Sequence, residues 1–117
     1  MKYLYFADSA TAQYIVPSDR LLGIDDSDAD TIVLNFEDMN GSTGEVSQVT
    51  IDVASGTAKT VMTSIGNAIS LARESVVVIA DDVNSAYIDA NITSVTGITH
   101  NVTGASGGIT ASSGNFV

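Results

Sequence analysis

The chain contains no cysteine, no tryptophan, one proline and one histidine, and only four basic residues against fourteen acidic ones. Each shortage removes a class of explanation. Without cysteine there is no disulfide framework and no thiolate metal site, so the fold must rest on packing. The four bases, Lys2, Arg20, Lys59 and Arg73, are spread along the sequence. Phosphate backbones are held by clustered Lys and Arg, so no nucleic acid partner is expected, and no membrane partner for the same reason. No apolar run approaches the length of a membrane span. The opening MKYLYFADS lacks the basic and then apolar layout of a secretory signal, which makes synthesis in a cytoplasm the expectation. His100 is the sole histidine, and no Ser-His-Asp set, HExxH or glycine-rich phosphate loop is present. Acid–base chemistry needs a second matched group within reach, so the expectation is a protein that is not an enzyme and carries no cofactor.

What is there suits one small domain. The 117 residues allow a single core, and 44% hydrophobic content is ordinary globular composition. Apolar volume comes from Val, Ile, Leu and Ala, with seven aromatics in all, four Tyr and three Phe. The net charge of −10 keeps such a chain soluble and favours a partner with a basic face.

Periodicity supplies the elements. KYLYF (2–6) and AQYIV (12–16) read as short strands, closed by Pro17 and Ser18-Asp19 in turn chemistry. RLLGI (20–24) reads as a brief strand or buried corner, and the acidic run 25–30 as a solvated loop. In TIVLNFE, Ile32, Leu34 and Phe36 alternate with Val33 and Asn35; in QVTIDV, Val49, Ile51 and Val53 alternate with Gln48, Thr50 and Asp52. Period-two alternation around the turn-rich MNGSTGE predicts an antiparallel hairpin. Val61, Ile65, Ala68, Ile69 and Ala72 recur at helical spacing, with Met62 beside them, predicting a helix over 58–73 entered at Ser55 or Thr57. VVVIA (76–80) is a continuous apolar run, the pattern of a strand buried on both faces. Tyr87-Ile88 and NITSVTGITH offer weaker strands. The expected fold is α+β: a mostly antiparallel sheet with one main helix packed on it over residues 1–103. A flexible Gly/Ser-rich tail follows over 104–117. Such a tail cannot build its own core, so a neighbour's sheet edge or groove is the expected source of order.

Three groups of residues invite a functional reading. Asp26, Asp28 and Asp30 stand at the first, third and fifth positions of a calcium loop, with Glu37 at the twelfth. Thr31 occupies the position that calls for Gly, and residues 31–37 have strand alternation, so a solvated acidic segment is the reading kept and these aspartates remain weak metal candidates. Asp81-Asp82 follows a buried strand, where α/β enzymes often keep carboxylates, but a turn is the plainer account. Tyr3, Tyr5, Phe6 and Tyr14 gather four of the seven aromatics near the N-terminus. Tyr and Phe favour interface centres, so Tyr3, Tyr5 and Tyr14, with Phe116 and Val117 as tail anchors, are the candidate contact residues.

The order KYLYF, acidic segment, TIVLNFED, SGTAKTVM…AI and VVVIADDVNSAYI, over about residues 1–95, resembles small acidic proteins of unassigned function encoded by marine tailed bacteriophages. The resemblance implies a virion-associated structural protein and carries no functional residues with it. The role expected first is a capsid decoration (cement) protein, many copies of which bind the major capsid protein or one another on the virion surface. A neck, tail or head-fibre component is the nearest alternative, and an acidic inhibitor that occupies a basic groove is the alternative outside the virion.

Overall fold

The computed structural model describes residues 2–37 and 45–103, with the backbone alone for 101–103. The fold is α+β, with eight strands and one helix. In chain order these are β1 (Tyr3–Ser9), β2 (Ala12–Pro17), β3 (Leu21–Asp28), β4 (Thr31–Glu37), β5 (Glu45–Val53), α1 (Ala58–Leu71), β6 (Val76–Asp81), β7 (Ala86–Tyr87) and β8 (Ile92–Thr103). The strands divide between two four-stranded sheets: sheet A in the order β2-β1-β6-β7, sheet B in the order β3-β4-β5-β8. Every pair is antiparallel except β1 with β6. Parallel neighbours need a long crossover, and here β2, three strands of sheet B (β3, β4 and β5) and α1 lie between them in sequence.

The alternating hairpin is as the sequence predicts. Ile32 pairs with Ile51 and Leu34 with Val49, and these four side chains are fully buried. Sheet A contributes Leu4, Phe6, Tyr14, Val16 and Val77 to the same core. The sheets meet through aromatic rings: Phe6 lies edge-on to Phe36 with centroids 5.8 Å apart, and Tyr14 to Phe36 at 5.9 Å. Edge-to-face pairs of this kind add about 0.5–1.5 kcal/mol each beyond burial.

Helix α1 inserts Val61, Ile65 and Ala68 into this cluster, the face that helical spacing marked. Thr57 is the N-cap residue, but its Oγ1 donates back to the Ala54 carbonyl oxygen (2.6 Å) instead of accepting from the first turn. Gly56 precedes it at φ +81°, a left-handed conformation open to glycine, and its N–H reaches the Ala29 carbonyl oxygen. The helix ends at Leu71, two residues before the expected limit, as Ala72 turns extended.

Two expectations require correction. The acidic run is not a loop: Asp25, Asp26, Ser27 and Asp28 continue β3, and Asp25 and Asp26 pair with Val33 and Ile32 of β4. An edge strand with one open side can be fully solvated and still hydrogen-bonded, which reconciles its exposure with its pairing. Likewise, β6 is not buried on both faces. Val77 and Ile79 are buried while Val76 and Val78 are 45% and 36% exposed, because nothing among the described residues covers the outer side of sheet A there.

Candidate functional site

Strand parity places one set of side chains from β1, β2 and β6 on the outer face of sheet A. Tyr3 stands between Pro17 of β2 and Val76 of β6, and Tyr5 between Ile15 and Val78. The intervening residues Leu4, Val16 and Val77 point into the core and are buried. Six adjacent side chains, Tyr3, Tyr5, Ile15, Pro17, Val76 and Val78, therefore form a continuous surface on the outside. Ile15 is 51% and Tyr3 41% exposed. The Tyr5 hydroxyl donates to Gln13 Oε1 (2.7 Å), and Gln13 Nε2 donates to the Ala10 carbonyl oxygen (2.8 Å), which holds the ring over the sheet. None of these side chains is charged. In a chain of net charge −10, this neutral aromatic and β-branched face is distinct from the acidic remainder of the surface.

The structure brings together two of the expected contact residues, Tyr3 and Tyr5, and separates the third. Tyr14 is a core residue, 7% exposed, stacked near Phe6 and edge-on to Phe36 and to the His100 ring at 4.9 Å. Its parity on β2 is opposite to that of Ile15, which takes its place on the outer face. Phe116 and Val117 lie outside the described residues. Sequence reading missed Ile15, Val76 and Val78. The signal was the pairing of β6 with β1, which puts VVV on a sheet open to one side.

The acidic residues take structural places. Asp26 and Asp28 project from β3, opposite Ile32 and Thr31, while Glu37 is at the far end of β4 opposite Val46. Asp28 Oδ1 accepts the Asp30 N–H (3.1 Å). A hydrogen bond shared between the two carboxyls raises the pKa of Asp30 and lowers that of Asp28. Among the described residues, no three His, Asp or Glu side chains are grouped as a metal ion would require. Asp81, 3% exposed, accepts the N–H groups of Val83 and Asn84 and the Asn84 amide, which ties the 82–85 turn. The Asp82 carboxylate accepts the Tyr87 hydroxyl (2.8 Å) and the Val95 N–H (3.1 Å). Asp81 thus takes the turn role expected of a strand end, whereas Asp82 ties the turn to β8 of the other sheet. His100 Nδ1 lies 2.8 Å from Ser47 Oγ, a pair that sequence spacing gave no means to find. Ser47 is fully buried, and the pair acts as an internal tie between β5 and β8.

No family model, no curated protein and no solved structure matches this chain. The site must be read from its own chemistry.

Proposed function

We propose that the chain is a binding protein without catalytic activity, a multi-copy structural component of a bacteriophage virion. In this reading it serves as a capsid decoration protein that holds the major capsid protein through the outer face of sheet A. The observation that carries this reading is the uncharged face of Tyr3, Tyr5, Ile15, Val76 and Val78 on an otherwise strongly acidic molecule. A rigid sheet presenting two tyrosines and three β-branched residues loses little conformational entropy on docking. Many copies on a lattice hold firmly even where each contact is weak. The resemblance to acidic phage proteins supplies the setting.

The test combines location with surface chemistry. Mass spectrometry of purified particles should find the chain in stoichiometric amounts, and its absence from particles refutes the virion role. Ile15→Asp with Val78→Asp should leave the fold intact, since both side chains are already exposed, and should lower particle occupancy at least tenfold. Unchanged occupancy would remove the outer face from the reading.

A second reading has its own observation. The exposed row Asp25, Asp26, Asp28 and Asp30 would suit a basic groove, as in an acidic inhibitor. Salt separates the two, because an acid-led contact weakens steeply with ionic strength and an apolar one does not.

A further inference from the structure

An open strand edge offers unpaired backbone groups to any other strand, and each of the four edges here meets that hazard differently. On β3 the exposed Asp25, Asp26 and Asp28 repel an incoming strand. Strand β7 is two residues long, too short to serve as a template. Strand β8 has its Val95 N–H taken by the Asp82 carboxylate, and it passes against β1 and β6 of the opposite sheet. Strand β2 also touches β8 across the sheets, but it has neither the charges of β3 nor the shortness of β7. Its residues, Ala12 to Pro17, carry no charge, it extends over six residues, and among the described residues no strand lies beside it on the side away from β1. A shallow groove of about 230 Å³, lined by Tyr14, Ile15, Val16, Pro17, Arg20 and Glu37, runs next to this edge.

We infer that residues 104–117 of the same chain add to the open edge of β2 as a further strand of sheet A. Three observations select this occupant. The exit point is close: β8 ends at Thr103, and three residues earlier the His100 ring meets the Tyr14 ring of β2 at 4.9 Å. The length suffices, since fourteen residues span about 46 Å when extended and a six-residue edge needs about 20 Å. Charge also matches. The segment GASGGITASSGNFV has no charged side chain, so it meets the uncharged edge of β2 without repulsion. Gly104, Gly107 and Gly108 permit the reversal from one sheet to the other, and Ile109-Thr110 or Phe116-Val117 supply strand-forming side chains.

The same copy is a better donor than a neighbour. A tethered segment is present at an effective concentration of about millimolar, whereas a second copy must bring a net charge of −10 against another −10. From the sequence alone a neighbour's edge was the expected acceptor; the fold places an equivalent edge beside the segment's own origin. Strand addition here leaves the outer face of sheet A open, so the inference is independent of the docking role.

Backbone hydrogen exchange on the full chain tests it. Alternate amides of residues 12–16 should be protected, and Thr110→Pro with Ser112→Pro, which removes two donors from the segment, should speed their exchange at least tenfold. Exchange in β4 and β5 should not change. Equal rates in both proteins overturn the inference. Because the chain has no cysteine, a nitroxide on Ser112→Cys is a unique label, and it should broaden β2 resonances within its own molecule. In a mixture of spin-labelled and isotope-labelled copies, broadening of the isotope-labelled ones would place the segment on a neighbour and overturn the assignment to the same chain.

Discussion

At the scale of single residues, the acids that a motif search would mark as chemistry are fasteners. Asp89 accepts from the Ser64 hydroxyl and from the Asn91 N–H, and these bonds, the Ser64 one foremost, lower its pKa below 3.8. A carboxyl with a depressed folded pKa contributes stability that is in place above the unfolded value, about 3.8, and is lost as pH falls through the folded value. Ser64→Ala should therefore destabilise the protein by about 1 kcal/mol at neutral pH. Urea titrations from about pH 7 downward check this, and the gap should narrow as the pH falls below the unfolded value and the folded carboxyl is protonated in turn. Tyr87 has the opposite sign. Its hydrogen bond to Asp82, followed by burial, raises the phenol above 10.0. That contribution is complete below pH 10.0 and is lost as pH rises through the folded value, so Tyr87→Phe should flatten the alkaline limb of the stability curve.

At the scale of elements, Ile51 and Ile65 join the β4–β5 hairpin and α1 to one core, and both are fully buried. Ile51→Asp or Ile65→Asp should each abolish soluble folding, because an unpaired buried carboxylate costs several kcal/mol, roughly the whole stability of a domain this size. A cooperative melt of either soluble variant would contradict the core assignment. The hairpin and the helix were legible because their apolar residues recur at the period of the element, with Ile32, Leu34 and Phe36 at two and Val61, Ile65 and Ala68 near 3.6. Elsewhere periodicity had nothing to report. Asp25 to Asp28 are polar in every position, and pairing with β4 depends on backbone groups that composition does not reveal. Val76 to Ile79 are apolar in every position, so only the assembled sheet decides which face is covered. Tyr3, Tyr5 and Tyr14 are chemically alike, and their separation into surface and core follows from strand parity. The acids of β3 act as edge guards, so Asp25→Thr with Asp26→Thr and Asp28→Thr should promote self-association. Sedimentation velocity at rising concentration checks this.

At the scale of the whole molecule, the two sheets differ in the charge they present. Sheet B ends in an acidic edge, whereas sheet A presents an uncharged face. Since no cluster of ligands exists among the described residues, millimolar calcium or a chelator should shift the melting temperature by no more than about two degrees. A rise of about ten degrees would instead make Asp26, Asp28 and Asp30 ligands.

The parallel pairing of Tyr3 with Val76 sets an order of events during synthesis. Strand β1 leaves the ribosome first but finds its central neighbour only after more than seventy further residues have emerged. Sheet B is completed later still, when β8 emerges. Until then the nascent chain holds Leu4, Phe6 and the β4–β5 hairpin without their full cover. Contacts this remote in sequence slow the search, so folding should run in milliseconds to seconds and finish late, as a single event. A chain built this way has no stable half, and a ribosome stalled before residue 92 should display a protease-sensitive nascent protein.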